Sequence, residues 1–336
     1  MKAVVIEQPG TVALSEIEPP VCGDGEVLVR SHSVGICPTD VKILHGLLPD
    51  GIVRYPCIPG HEWSGSVVDG SDSVEGFSPG DRVVCEGMIP CGICRRCSSG
   101  ETNLCENYDQ IGFTRPGGYA ELVAVPSKIV HRLPENVSPD AGALIEPAAC
   151  VVSAFERSAL SAGEVVAVIG AGTLGLMAIV LARALGASAV YAYGVRDAEL
   201  QHAKRMGATE ALRPDERTDA DIDLVIDTAS GASAIQTGLD LVRRGGRLVV
   251  VGTAGEGERL DVPADIFVRK NIDLIGSLSY TSAAWKRAME LVGMGTLDLE
   301  RFVATRLPLS DFATGLDTVE QPGDLVGRVI LQHVEP

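Results

Sequence analysis

Four cysteines fall within one short segment, and their spacing is typical of a metal site. They are Cys91, Cys94, Cys97 and Cys105, in the run CGICRRCSSGETNLC. Two-residue gaps let neighbouring thiolates converge on one tetrahedral ion, and the longer gap allows a loop to return the fourth sulfur. A site closed by four thiolates has no position for substrate, so the spacing predicts a structural zinc. Two disulfides are the alternative.

A second set of ligand-type side chains is scattered along the chain. It comprises Cys37, the adjacent pair His61 and Glu62, and Glu146. A mixed set of thiolate, imidazole and carboxylate binds zinc and can leave one coordination position open for substrate. We therefore expect folding to assemble a catalytic zinc site here, which makes two zinc ions per chain.

The composition indicates a reducing compartment and a small-molecule substrate. The 336 residues include nine cysteines, with no basic-then-apolar segment at the start and no apolar run long enough to span a membrane. These features predict a cytoplasmic protein, whose thiols stay reduced, and they disfavour the two disulfides. The net charge of −17, from 45 acidic and 28 basic residues, argues against nucleic acid or an anionic membrane as a partner.

A glycine-rich turn joins a strand-like run to a helix-length stretch. Residues 165–169 are β-branched or apolar and lead directly into a GxGxxG pattern. The first glycine permits a tight turn, the second lets the backbone approach a pyrophosphate, and the third allows close packing of helix on strand. The helix N-terminus then faces the phosphates. The pattern predicts a dinucleotide site formed by Gly170, Gly172, Thr173, Leu174 and Gly175.

The residues after the next strand bear on which dinucleotide binds. An NAD site expects an acidic residue there, bonded to the adenosine ribose, but this chain has Gly194. Arg196 offers a fork-shaped cation for a 2′-phosphate, and Arg213 is a second candidate cation. Asp197 is expected to cap the following helix. The pattern favours NADP(H) over NAD(H).

These motifs lie in stretches of different character. Residues 1–147 contain short β-branched runs between glycine and proline turns, which predicts a β-rich, barrel-like domain interrupted by a cysteine lobe at 88–106. Residues 148–280 alternate apolar strands with helices, which is typical of a parallel sheet covered on both faces. Residues 281–336 are too few for a domain and are expected to complete the first one. The predicted fold class is α/β.

The order of the motifs resembles that of the zinc-dependent medium-chain dehydrogenases/reductases over essentially the whole chain. The resemblance implies a GroES-like catalytic barrel followed by a Rossmann domain with a doubly wound parallel sheet. It also implies hydride transfer between a nicotinamide cofactor and an alcohol or carbonyl carbon. The Leu-Ile-Glu-Pro run at 144–147 is similar to that of sorbitol, threonine and 2-deoxy-scyllo-inosamine dehydrogenases. The implied substrate is a polar secondary alcohol or ketone: a polyol, cyclitol, sugar or amino alcohol.

The resemblance assigns a role to each ligand-type residue. Cys37, His61 and Glu146 match the protein ligands of the catalytic zinc in the sorbitol and threonine branch. Glu62 matches a glutamate that enters or leaves the coordination shell during exchange. The family also pairs its Rossmann sheets edge to edge, so a homodimer or homotetramer is expected through the strand near 272–277.

The resemblance also implies a proton path. Thr39 matches the hydroxyl that hands the substrate proton toward the nicotinamide ribose. Lys42 stands where relatives carry a relay histidine, so the path ends at Lys42, at His45 or in water. By the same analogy, His45, Trp63 and residues 108–113 are candidates for the wall of the substrate pocket.

Three alternatives remain at this point. One is an NAD-dependent dehydrogenase of the sorbitol or threonine type, and another is a relative that binds nucleotide without catalysis. The third, a nucleic-acid-binding zinc ribbon, is disfavoured because only Arg95 and Arg96 are basic within the cysteine lobe.

Overall fold

The β-branched runs of the first part of the chain form strands, and the later apolar runs form strands that alternate with helices. The structure is a computed structural model and describes residues 1–70, 74, 76–255 and 257–333. In chain order the strands are β1 (Lys2–Gln8), β2 (Thr11–Glu16), β3 (Glu26–Gly35), β4 (Glu62–Gly70), β5 (Arg82–Cys85), β6 (Met88–Ile89), β7 (Asp109–Gln110), β8 (Leu122–Pro126), β9 (Val130–Arg132), β10 (Val165–Ile169), β11 (Ala189–Tyr193), β12 (Glu210–Leu212), β13 (Ile222–Asp227), β14 (Val242–Val250), β15 (Asp273–Gly276), β16 (Val303–Pro308) and β17 (Arg328–Gln332).

The helices connect these strands. They are α1 (Pro38–His45), α2 (Arg95–Ser98), α3 (Pro139–Ala143), α4 (Ile145–Ser158), α5 (Thr173–Ala184), α6 (Asp197–Arg205), α7 (Ala232–Leu241), α8 (Ile266–Lys270), α9 (Ser282–Gly293) and α10 (Phe312–Glu320), with short 3₁₀ turns at Thr102–Leu104, Ser127–Ile129, Leu299–Phe302 and Leu309–Asp311. No helix in the described ranges is long and apolar enough to cross a membrane.

The chain divides into two units. The first consists of Met1–Glu146, Asp298–Gly323 and Arg328–Pro336, and the second of Pro147–Leu297 and Asp324–Gly327.

A seven-stranded sheet organises the first unit. Its order is β16-β17-β3-β4-β5-β9, and β8 also pairs with β3. Strand β3 is central: it pairs antiparallel with β4, β8 and β17. Because β17 comes from the end of the chain, the C-terminal segment completes this sheet. The inward residues of β3, such as Val27 and Val29, are buried, while Arg30 is exposed. This alternation of buried and exposed side chains is what a sheet with one packed face requires.

A six-stranded parallel sheet organises the second unit. Its order is β12-β11-β10-β13-β14-β15. The chain therefore starts in the middle at β10, moves outward to β12, and returns to add β13 on the other side. Near-continuous apolar strands such as β10 fit a sheet buried on both faces. The order confirms the predicted doubly wound sheet, and the topological switch lies at the carboxyl ends of β10 and β13.

The division of the chain differs from the predicted one near the C-terminus. Residues 281–297 were expected to complete the first domain, but they belong to the second unit, as does Asp324–Gly327. Helix α9 lies in that segment and has one strongly apolar face, on which Trp285 and Leu291 are buried. The pattern of its twelve residues predicts an apolar face but does not indicate the sheet against which that face packs.

Candidate active site and metal centres

Strand pairing brings Cys37, His61 and Glu62 together. Strand β3 ends at Gly35, and Cys37 follows as the N-cap residue of α1. Strand β4 begins at Glu62, which pairs directly with Gly35. Residues 25 positions apart in sequence thus become neighbours at the ends of two adjacent strands.

The three side chains form a compact, largely buried cluster. Their ligand atoms all lie within 4.8 Å of one another. His61 is 5% exposed and Glu62 is 1% exposed, whereas Cys37 is only partly buried. A thiolate, an imidazole and a carboxylate at this spacing match the donor types and separations of a zinc site. The chemistry of the donor set therefore fits zinc.

Two glycines make room for the cluster. A Cβ atom at Gly35 would lie 2.6 Å from Glu62 Oε2, so a larger residue would displace that carboxylate. Gly60 has a φ of +98°, and a Cβ atom there would lie 2.5 Å from the ring of Tyr119. The glycine before His61 is therefore required by both backbone conformation and space.

Asp40 holds two members of the cluster in place. It is fully buried on the first turn of α1 and accepts a hydrogen bond of 2.8 Å from the backbone N–H of Cys37. Its other oxygen lies 3.5 Å from His61 Nδ1, which leaves Nε2 for a metal. Burial lowers the pKa of His61, but the charges of Asp40 and Cys37 outweigh it and the net direction is upward. The Tyr119 hydroxyl donates to Asp40 Oδ2, the oxygen that also accepts from Cys37, at 3.4 Å.

Glu62 has a buried cation beside it. Arg328 Nε lies 2.8 Å from Glu62 Oε2, although the angle is poor for a hydrogen bond, and its Nη1 donates to the carbonyl of Ile36 at 3.2 Å. Both side chains are at most 7% exposed. Burial raises the pKa of Glu62, and the positive charge of Arg328 opposes that rise. The pair thus keeps a carboxylate inside the cluster that would otherwise be costly to bury.

Glu146 is not one of the three residues of this group. It lies in the first turn of α4 and is partly exposed. In the described part of the chain, the group of ligand atoms within 4.8 Å of one another contains Glu62 and does not contain Glu146. Burial raises the pKa of Glu146 to about 7, and the charges of both His61 and Glu62 act on it. Glu146 is therefore near the cluster, and its role as a ligand stays a prediction.

The residues predicted for proton transfer lie along α1. Thr39 is on its first turn, two residues after Cys37, and is partly exposed. Lys42 is partly buried, while His45 is exposed and lies 3.4 Å from Glu320. Of the predicted pocket residues, Phe113 contacts the His61 ring at 5.2 Å between centroids, and Trp63 is buried within β4.

The four cysteines of the lobe also form a cluster. All four sulfurs lie within 4.8 Å of one another; Cys91 and Cys97 are 3.9 Å apart, and Cys94 and Cys105 are 4.0 Å apart. Four thiolates on a zinc ion at about 2.3 Å are separated by about 3.8 Å. All four cysteines are free thiols, so the two-disulfide alternative is not what the structure contains. The lobe therefore fits a closed zinc site.

Backbone N–H groups in the lobe favour the thiolate form of Cys94. Hydrogen bonds from the N–H groups of Cys97 and Glu106 lower the pKa of Cys94 to about 6. Burial instead raises the pKa of Cys97 to about 12, and the neighbouring sulfurs add to the rise. Four thiolates so close together therefore need a cation to stay ionised.

The glycine turn of the second unit has the geometry that a dinucleotide needs. Gly170 has a φ of +88°, and Gly175 packs so closely that a Cβ atom would lie 1.7 Å from the Gly170 carbonyl oxygen. Gly172 caps α5, and a Cβ atom there would meet nothing within 4 Å. Thr173 and Leu174 follow in the first turn of α5. The strand, the turn and the helix N-terminus thus leave open space where the pyrophosphate is expected.

The two predicted phosphate-binding cations each pair with a carboxylate. Arg196 donates to the carbonyl of Leu325 at 3.0 Å and to Glu199 at 2.7 Å. Arg213 lies 2.5 Å from Asp197. The predicted N-cap was wrong by one residue, because Arg196 is the cap and Asp197 is the first residue of α6.

Sequence reasoning missed the roles of Asp40, Arg328 and Glu199. A signal existed for two of them. Asp40 stands three residues after the N-cap position, where an acidic side chain can accept the cap's N–H. Arg328 begins a strand whose next three residues are apolar, and a charged residue in such a strand needs a buried partner. Which partner it finds was not visible from the sequence.

Comparisons with known proteins agree with this architecture. Residues 23–135 match the alcohol dehydrogenase GroES-like domain, and residues 173–293 match the zinc-binding dehydrogenase domain. The chain is 30% identical to sorbitol dehydrogenase of Bacillus subtilis, over 96% of this chain and 94% of that protein.

Solved structures cover nearly the whole chain. A putative zinc-binding dehydrogenase from Sinorhizobium meliloti, bound to NADP, has a TM-score of 0.92 and 30% identity over 99% of both chains. An alcohol dehydrogenase from Escherichia coli CFT073, complexed with NADH, has a TM-score of 0.93 and 25% identity over 99% of both chains. Similar folds thus accept either cofactor.

Proposed function

Because this chain belongs to the zinc-dependent medium-chain alcohol dehydrogenases, we propose that it transfers a hydride between NADP(H) and a polar secondary alcohol or ketone. The substrate class is a polyol, cyclitol, sugar or amino alcohol. The observation that carries the proposal is the buried cluster of Cys37, His61 and Glu62, whose ligand atoms lie within 4.8 Å of one another. The open glycine turn at Gly170–Gly175 supports the nicotinamide cofactor, and Arg196 supports NADP(H) over NAD(H).

In this proposal the chain holds two zinc ions with different tasks. Cys37 and His61, with Glu62 or Glu146, would hold the catalytic ion. Cys91, Cys94, Cys97 and Cys105 would hold the structural ion. When bound, the catalytic zinc supplies a Lewis acid that favours the alkoxide, and the nicotinamide supplies the hydride acceptor or donor.

The protein groups around the site would perform the remaining work. Asp40, whose Oδ1 lies 3.5 Å from His61 Nδ1, would hold that side of the imidazole and leave Nε2 for the metal. Arg328 neutralises Glu62 when that carboxylate is not a ligand, which permits it to change partners. The Thr39 hydroxyl, two residues after Cys37, would accept the proton of the substrate hydroxyl while it releases its own toward Lys42, His45 or water.

Zinc analysis and a turnover screen test this function. Purified protein should contain about two zinc ions per chain. Oxidation of polyols, cyclitols, amino alcohols and simple secondary alcohols should be followed with NADP⁺ and with NAD⁺. We expect the highest kcat/KM with a polar secondary alcohol and NADP⁺. Failure to turn over any alcohol with either cofactor, at full zinc content, would favour a non-catalytic nucleotide-binding relative.

We also propose a cytoplasmic homodimer or homotetramer that pairs through β15. This strand is an edge of the six-stranded sheet, the exposed Leu274 lies on it, and the exposed Leu278 follows two residues after its end. An unpaired apolar edge favours association. A monomeric mass in light scattering at micromolar concentration would contradict this assembly.

A further inference from the structure

The carboxylate of Glu199 lies where an NAD site has its acidic residue. A Cβ atom built on Gly194 would be 3.5 Å from Glu199 Oε2 and 3.4 Å from the Cβ of Ala171 in the glycine turn. Gly194 has no charge at this strand end, but the next helix thus places the Glu199 carboxylate close to where the side chain of a strand-end acid would begin.

Glu199 also forms an ion pair with the guanidinium group of Arg196. The two residues are three positions apart on α6, and Arg196 Nη2 donates to Glu199 Oε1 at 2.7 Å. Glu199 is 12% exposed and Arg196 is 28% exposed, so water screens this pair less than a fully exposed one. The carbonyl of Leu325 accepts from the other arm of the guanidinium at 3.0 Å. The arginine is therefore held in one position by an acid and a carbonyl.

We infer that Glu199 is a specificity-determining residue that opposes Arg196 in cofactor choice. Its carboxylate accepts a hydrogen bond from the ribose 2′-hydroxyl of NAD(H), as a strand-end acid does. The same carboxylate repels the 2′-phosphate of NADP(H) and competes with it for Arg196. This inference rests on the proposed function and refines it: the preference for NADP(H) is smaller than Arg196 alone would give.

The test uses two ligands that differ only at the ribose 2′ position. The affinities of the zinc-loaded protein for 2′,5′-ADP and for 5′-AMP are measured by calorimetry, without any alcohol substrate. The readout is the ratio of the two affinities. Replacing Arg196→Gln should lower that ratio at least about tenfold, because it removes a charge-assisted contact to phosphate. Replacing Glu199→Gln, which keeps the side chain's shape, should raise the ratio about tenfold.

A matched control is available on another helix of the same unit. Arg287 and Glu290 form an ion pair with the same three-residue spacing on α9, at 3.0 Å. The Glu290→Gln variant removes the same charge from the same kind of pair and should leave the ratio unchanged. Thermal melting of each variant checks that the unit stays folded.

The outcomes separate this inference from the cofactor assignment. If Arg196→Gln lowers the ratio and Glu199→Gln leaves it at the wild-type value, the role of Glu199 is refuted while the NADP(H) assignment stands. If Arg196→Gln leaves the ratio unchanged, the assignment of the 2′-phosphate to Arg196 fails. An increase with Glu290→Gln equal to that with Glu199→Gln would show a general charge effect and would also refute the inference.

Discussion

The cysteine lobe and the Cys37 cluster both gather side chains that can bind zinc, but they are assembled in opposite ways. The lobe has four thiols, and the other cluster has a thiol, an imidazole and a carboxylate. The lobe draws its four sulfurs from residues 91–105, and all but Cys105 are partly exposed. The other cluster draws its ligands from the ends of two paired strands and is mostly buried. Local spacing is enough to define the first cluster, while the second needs a sheet to bring its residues together.

Burial also changes what the surrounding residues must do. In the lobe, backbone N–H groups point at sulfur, and a bound cation would complete the charge balance. Around Cys37 and Glu62, two further charged groups, Asp40 and Arg328, are buried with the ligands. A site formed by one short loop would therefore depend on a bound metal for its shape. The cluster at the strand ends has its shape from the fold and needs buried counter-charges to keep it.

The largest expected effect comes from removing one ligand of the Cys37 cluster, which should affect turnover and leave folding intact. The Cys37→Ser variant should turn over at least about a thousandfold more slowly, because binding of the catalytic ion is weakened or lost. This corresponds to a rise of about 4 kcal/mol in the activation free energy. Melting temperature and cofactor affinity should stay close to wild type, since strand pairing fixes the local structure. The Cys22→Ser variant, outside both clusters, is the control and should turn over normally. Wild-type kcat in Cys37→Ser would remove this cluster from catalysis.

A second test compares ion pairs beside the two clusters. Replacing Arg328→Met leaves Glu62 buried without its cation and should lower the free energy of unfolding by about 3–5 kcal/mol. Replacing Arg96→Met breaks the exposed pair with Glu101, 2.9 Å apart, and should have no measurable effect. Urea unfolding measures both. Equal effects would show that burial does not distinguish the clusters energetically.

Asp227 is a buried acid for which the described residues supply no ion pair, in contrast to Glu62. Asp227, in the second unit, is fully buried, and burial raises its pKa from about 3.8 to about 7 although the N–H of Ala229 donates to it. Below pH 4 the carboxyl is protonated in both states. Between pH 4 and 7 the unfolded chain releases the proton and the folded chain keeps it, so stability falls as pH rises, and above pH 7 the full loss remains.

The Asp227→Asn variant should therefore escape that loss. Relative to wild type, its free energy of unfolding should improve between pH 5 and pH 8 by on the order of 2–3 kcal/mol. Urea unfolding at several pH values in this range measures the difference. A pH dependence identical to that of wild type would mean that Asp227 is ionised in the folded protein. The Asp240→Asn variant, at an exposed position on α7, serves as the control.

The smallest effect is expected from the exposed lobe. The Cys94→Ser variant should lower the zinc content from about two ions per chain to about one and the melting temperature by several degrees, because that ion contributes to folding. The molecules that remain folded should retain wild-type kcat. Loss of kcat with an unchanged melting temperature would reverse the roles assigned to the two clusters.

How much of this the sequence predicted depends on the range of each interaction. The lobe and the glycine turn are contiguous, so the spacing of Cys91–Cys105 and Gly170–Gly175 is enough to predict their geometry. The cofactor preference was harder. Gly194 and Arg196 were visible as a pair, but the turn of α6 that returns Glu199 to the end of β11 depends on helix geometry and packing. The residues directly after the strand therefore revealed the positive charge of this region, Arg196, but not the negative charge of Glu199 that pairs with it.

The sequence by itself determined the ligand types, the cysteine spacing, the phosphate-facing turn and the alternation of strands that leads to a doubly wound sheet. Each of these follows from residues that are near in sequence, for which chain geometry leaves few possibilities. The tertiary structure was needed to place Glu62 within 4.8 Å of Cys37 and His61, to pair Arg328 with Glu62, and to assign α9 to the second unit. Those outcomes depend on which surfaces are buried together, because burial sets both the cost of each charge and the partner that can offset it.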